Sequence, residues 1–206
     1  MLDIETRSRL FVKQRFEGLE LLGIESRNKY EILGETGESV GFAAEQSQGF
    51  FGWLSRQFAG HWRSFEIHVF GPNRDLALVV RHPFRFFFQR LDVSDANGRS
   101  IGAIQRRFSI LSKCFDVEDA RGEILLTVRS PLWRMWNFPF HRSGQEVACV
   151  TKKWTGLLAE AFTDMDNFLI DFASPSLSVD EKQLILAAAL YIDLNFFETR
   201  AGENSR

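Results

Sequence analysis

Two five-residue segments carry a serine in the pattern of a hydrolase nucleophile. Gly37-Glu38-Ser39-Val40-Gly41 and Gly98-Arg99-Ser100-Ile101-Gly102 both match G-x-S-x-G, which on a sharp strand-to-helix elbow exposes a serine for acyl transfer. The context argues against that chemistry. The pattern occurs twice, each time just after a hairpin turn signal, and at least once a strand-like pattern follows where a helix is required. An esterase built on Ser39 or Ser100 is therefore the weakest functional reading. His61, His68, His82 and His141 show neither His-x-His nor HExxH spacing, so each reads as a strand or loop residue. Cys114 and Cys149 are the only cysteines and form no CxxC or Cys/His cluster. That excludes a zinc site or a disulfide framework and predicts reduced thiols in strands.

The elements that carry these residues read as strands for most of the chain. Gly37, Gly98, Gly122 and Gly144 each open a run of strand-forming residues; glycine supplies the positive φ of a tight hairpin, and the residues that follow suit a half-buried pleat. Asn97-Gly98 between Leu91-Asp92-Val93-Ser94 and Ile101-Gly102-Ala103-Ile104 is the clearest hairpin. No βαβ alternation appears, so the sheet is expected to be antiparallel.

One strong helix is predicted from Asp180 to Glu198. Asp180-Glu181-Lys182 gives it a charged first turn, and Leu184 to Ile192 is apolar all round, which demands burial on every side. A bilayer span needs about 20 apolar residues, and an Asp such as Asp193 in mid-membrane costs roughly 2.5 to 3.5 kcal/mol. A buried core helix is the better reading.

At 206 residues and 45% apolar content the chain suits one domain with a full core. It opens Met1-Leu2-Asp3-Ile4-Glu5-Thr6, without a basic-then-apolar leader, so a cytoplasmic protein is expected. The net charge is −2 but unevenly spread: residues 56–142 hold 14 Arg and Lys against 8 Asp and Glu, an excess of +6, leaving −8 on the flanks. Such an excess fits solvated strand faces, or attraction to anionic phospholipid headgroups at about 1 kcal/mol per nearby cation. No nucleic-acid motif accompanies it. Three aromatic runs stand out: Gly49-Phe50-Phe51-Gly52-Trp53-Leu54, Phe84-Arg85-Phe86-Phe87-Phe88, and Leu132-Trp133-Arg134-Met135-Trp136-Asn137-Phe138-Pro139-Phe140. Aromatic rings beside arginine suit the headgroup boundary of a membrane, and equally a barrel core or its loops. Trp53, Arg85, Trp133, Arg134 and Trp136 are the candidate lipid-binding residues.

Lys153-Trp154-Thr155-Gly156 runs into Glu160-Ala161-Phe162-Thr163-Asp164-Met165-Asp166-Asn167-Phe168, and the apolar helix ends Asn195-Phe196-Phe197-Glu198. Together with Asn28-Lys29-Tyr30-Glu31-Ile32 and Phe42-Ala43-Ala44-Glu45 upstream, this order of parts resembles the phospholipid scramblase family over roughly residues 15–200. The resemblance implies a mainly β, tubby-like domain over 15–200: a closed antiparallel β-barrel of about 12 strands around the buried C-terminal helix, with tails at 1–14 and 201–206. It also implies a protein peripheral to the membrane that promotes movement of phospholipids between leaflets with Ca²⁺ as a cofactor. No bond is made or broken in that activity, so no enzyme is expected. The family's calcium stretch points to Asp164, Asp166, Asn167 and Asp171 as ligands. As a twelve-residue calcium loop the segment is incomplete, because Leu169 and Pro175 stand where glycine and a bidentate glutamate are wanted, and the same spacing fits a turn and a strand. The chain also lacks the family's cysteine runs and Pro-rich extension, so anchoring by acylation does not carry over. The rival reading is a soluble tubby-like module that binds anionic lipid or a protein partner without scrambling. The oligomeric state is left open.

Overall fold

Alternation of apolar and polar residues builds twelve strands, each hydrogen-bonded to its sequence neighbours. They are β1 (Arg9–Gln14), β2 (Lys29–Leu33), β3 (Ser39–Glu45), β4 (Phe65–Phe70), β5 (Leu76–His82), β6 (Arg90–Asp95), β7 (Ser100–Arg107), β8 (Ser112–Asp119), β9 (Ile124–Pro131), β10 (Asn137–Arg142), β11 (Gln145–Thr151) and β12 (Asn167–Asp171). The structure is a computed structural model that describes residues 2–14, 28–46, 64–83, 89–109, 111–131, 133–134, 136–152 and 167–196. Every pairing is antiparallel, and the meander closes on itself where β12 meets β1, with Leu10 opposite Ile170 and Val12 opposite Phe168. Closure leaves no free sheet edge. β1 falls within the stretch that sequence reading leaves as an N-terminal tail. It is a barrel strand, and Leu2 and Ile4 ahead of it are also buried. Its apolar run, Leu10-Phe11-Val12, is too short to stand out without its neighbours.

The helix α1 (Val179–Phe196) fills the barrel. Leu184 to Ile192 are at most 2% exposed on every side of the helix and share one core with the inward residues of the strands. All-round burial of a single helix requires a wall around it, which the closed sheet supplies. Sequence reading starts the helix one residue late and misses its cap. Ser178 Oγ accepts from the Glu181 amide at 3.2 Å, while a Glu181 carboxylate oxygen accepts from the Ser178 amide at 2.9 Å. That reciprocal Ser-x-x-Glu box satisfies two otherwise orphaned donors.

The barrel has two unlike ends. At one lie the tight hairpins of Gly37, Gly98, Gly122 and Gly144, whose φ values of 82° to 86° confirm the predicted turns. The N-terminus of α1 sits there too, held by Arg142 to Glu181 and by Arg99 to Asp180. Lys182 is pulled below its ordinary pKa by burial and donates to the carbonyls of Ile4, Glu5 and Arg7 at 3.3, 2.6 and 2.8 Å, which fastens the N-terminal segment over that end. The opposite end, the mouth, carries the β7–β8 and β9–β10 connections and the C-terminal end of α1.

Candidate functional site

The G-x-S-x-G pairs turn out to be strand geometry. Ser39 and Ser100 are exposed and open β3 and β7, with no helix following. In each segment the first glycine makes the hairpin and the second admits a neighbouring backbone. A Cβ on Gly102 would lie 2.1 Å from the Glu118 carbonyl oxygen, and one on Gly41 2.3 Å from that of Phe70. Register shifts beside them, at Val93/Ser94 and Ile32/Leu33, are the bulges this close approach accompanies. Ser39→Ala and Ser100→Ala should each leave the melting temperature within about 1 °C of wild type, since surface substitutions of this kind sit within about 0.5 kcal/mol. Neither serine should react with a fluorophosphonate probe; covalent labelling of either would restore the hydrolase reading.

The β9–β10 connection is a built loop. The Arg134 amide donates to the Pro131 carbonyl at 2.9 Å, and the buried Ser130 hydroxyl reaches the carbonyls of Arg134 and Asn137 at 3.0 and 2.6 Å. At the loop's far side the Lys152 amide donates to the Trp136 carbonyl at 2.9 Å. Cys149, whose thiol is pushed up in pKa by burial, and Thr151 both donate to Asn137 Oδ1, at 2.8 and 2.9 Å. On this fixed base Trp133 projects at 77% exposure and Trp136 at 39%, with Arg134 exposed between them. Arg129 and Arg134 make no ion pair among the described residues.

Beside this loop runs the β7–β8 connection, where Phe108 is 79% and Leu111 70% exposed. Sequence reading missed both. Phe108 and Leu111 follow Arg106-Arg107 in a short, mostly apolar run, which reads equally well as a continued strand; only where β7 stops shows that the two side chains face water.

Below the mouth the C-terminal part of α1 carries a buried polar cluster. Lys152 Nζ lies 3.1 Å from Asp193 Oδ1, with the two side chains only 6% and 2% exposed, and Tyr30 donates its hydroxyl to Asp193 Oδ2 at 2.9 Å. Tyr191, raised to about 12 by burial, donates to Gln89 at 2.9 Å. Asp193, which counts against a membrane span in the sequence, is thus a paired core charge. Among the described residues no helix is long and apolar enough to cross a membrane.

Of the candidate calcium ligands, Asp164 and Asp166 lie outside the described residues, as does the side chain of Asn167. Asp171 ends β12, and its carboxylate accepts from Arg9 Nε at 3.1 Å. No group of three or more His, Cys, Asp or Glu suited to a metal ion occurs among the described residues. Trp53 and Arg85 also lie outside them. Trp133, Arg134 and Trp136 are brought together.

A closed barrel filled by its own helix matches the architecture that the family resemblance implies. The Scramblase family model matches residues 2–199. The chain belongs to the Scramblase family. It is 29% identical to phospholipid scramblase 2 of Bos taurus over 94% of this chain and 70% of that protein. It is 28% identical to human phospholipid scramblase 1 over 96% of this chain and 65% of the relative. A phospholipid scramblase family protein of Schizosaccharomyces pombe is 29% identical over 87% of this chain and 50% of its own length. The chain thus spans between 50% and 70% of these relatives' own length. No solved structure matches it.

Proposed function

We propose that this chain is a peripheral membrane protein that promotes movement of phospholipids between leaflets. Family membership supports the lipid as substrate. The observation that carries the membrane surface as the place of action is the rigidly based β9–β10 loop, which holds Trp133 and Trp136 in water beside Arg129 and Arg134. Exposed indoles on such a base suit a headgroup boundary, where the ring and the indole N–H are both accommodated.

Family resemblance also implies Ca²⁺, but the one candidate ligand whose side chain is described fits it poorly. A cation at Asp171 would compete with the Arg9 guanidinium. No step of the proposal is routed through the ion.

One observation favours a narrower reading, a lipid-binding module without scrambling. Leu184 to Ile192 fill the barrel interior, and a headgroup needs a polar route across about 30 Å of hydrocarbon. Any scrambling must therefore proceed outside the lumen, by perturbing the bilayer against the barrel's outer surface.

Flotation tests the common part of both readings. The protein should float with vesicles of phosphatidylcholine and phosphatidylserine and much less with phosphatidylcholine alone, and rising salt should weaken the binding as exposed charges are screened. Trp133→Ala with Trp136→Ala should weaken flotation at least tenfold, by about 1.4 kcal/mol or more, with the melting temperature unchanged. Equal flotation of wild type and double variant would remove the loop from the account.

A further inference from the structure

We propose that the β7–β8 and β9–β10 loops form one membrane-inserting face, with the barrel standing end-on, its mouth in the headgroup layer of an anionic bilayer and its hairpin end away. This deepens the membrane-surface reading above and rests on it.

Register puts the two loops side by side. Ser112, the first residue of β8, pairs with Pro131, the last of β9. Leu111 therefore precedes, and Trp133 shortly follows, two residues that are directly opposed across the ladder. Phe108, Leu111, Trp133 and Trp136 account for four of the five large apolar residues exposed among those described. The fifth, Ile124, lies alone at the hairpin end, where it opens β9. Four large apolar side chains thus sit on two adjacent loops, unlike the scattered exposure ordinary surfaces show.

Charge selects the occupant. Residues 105–115 and 127–137 contain Arg106, Arg107, Lys113, Arg129 and Arg134 and no Asp or Glu. Arg107 is engaged by Asp116 and Glu118, and Lys113 lies over the Phe138 ring at 4.9 Å; Arg129 and Arg134 are left to the surface. The far end, with those four glycine hairpins and the β4–β5 turn over Gly71 to Asp75, by contrast holds Glu35, Glu38, Asp75, Asp95, Asp119, Glu123 and Glu146 against Arg74, Arg99, Arg121 and Arg142. The two loops are therefore basic where the hairpin end is acidic. An anionic surface attracts these two loops and repels the hairpin end, and apolar side chains with cations beside them meet acyl chains and headgroup phosphates as a bilayer presents them. A protein partner would need an acidic rim around an apolar centre; the bilayer supplies both without further specificity.

Environment-sensitive labels at each end test the orientation. An NBD fluorophore would be placed on Leu111→Cys or on Ile124→Cys in a Cys114→Ser/Cys149→Ser background whose melting curve matches wild type. With phosphatidylserine-containing vesicles the Leu111 label should brighten and shift to the blue while the Ile124 label stays unchanged. Phe108→Ser with Leu111→Ser, in the otherwise native chain, should weaken flotation at least about tenfold, because two large apolar side chains lose their burial in the bilayer. A shift at Ile124 alone, or undiminished flotation of the Phe108/Leu111 variant beside a floating wild type, overturns the orientation and leaves the membrane reading standing. A shift at Leu111 that grows with protein concentration in the absence of lipid assigns the patch to a second copy of the chain and overturns it as well. Failure of the wild type to float on any vesicle removes the membrane reading itself, and this inference with it.

Discussion

Leu186→Asp is expected to abolish the folded state. Leu186 is fully buried at the middle of α1, enclosed by the barrel wall, and a carboxylate there would find neither water nor a cation. The expected loss exceeds about 4 kcal/mol, set against a total of about 5–15 kcal/mol for a domain. Cooperative thermal unfolding followed by circular dichroism should disappear, and the protein should pass to the insoluble fraction. Leu186→Met keeps volume and polarity and should cost less than about 1.5 kcal/mol. A soluble, cooperatively melting Leu186→Asp protein would mean that the helix is not enclosed.

The second large effect concerns the ion pair at the mouth. Lys152→Met removes the ammonium 3.1 Å from the buried Asp193 carboxylate, to which the Tyr30 hydroxyl also donates, and truncating one member of such a pair costs about 3–5 kcal/mol. Replacing both, Lys152→Met with Asp193→Leu, should recover most of that loss, because the pair's attraction roughly offsets the cost of desolvating it. Urea denaturation of the two single variants and the double gives the coupling directly. A double variant less stable than either single would show that the pair contributes net stability beyond relieving its own desolvation. The pair joins β11, at the base of the Trp136 loop, to the C-terminal part of α1, so it also fixes the helix relative to the mouth.

How much of this was legible in the sequence depends on how local the determining interactions are. Hairpins at Gly37, Gly98, Gly122 and Gly144 were readable because positive φ is a single-residue requirement. The buried helix was readable because nine successive apolar residues leave no polar face. Closure of the barrel was not readable from periodicity: it depends on β1 meeting β12 across more than 150 residues of chain, and it came from the family resemblance. β1 itself went unread for the same reason, since three apolar residues become a strand only with β2 and β12 on either side. At the mouth, Trp133, Arg134 and Trp136 could be picked out by composition. Phe108 and Leu111 could not, because an apolar run after a strand looks the same whether it stays in the sheet or leaves it. The capping box at Ser178 and Glu181 is legible as Ser-x-x-Glu just ahead of the acidic first turn.

Reconstituted vesicles carrying a fluorescent phospholipid in both leaflets report directly whether the chain moves phospholipids between leaflets from a membrane surface. An external membrane-impermeant reductant quenches only the outer leaflet of protein-free vesicles, roughly half of the signal. With the wild-type protein bound, quenching should proceed well past that level, and Trp133→Ala with Trp136→Ala should return it to the protein-free value. Quenching that stops at the protein-free level, on vesicles to which the protein demonstrably binds, would contradict lipid movement and leave a lipid-binding module in its place.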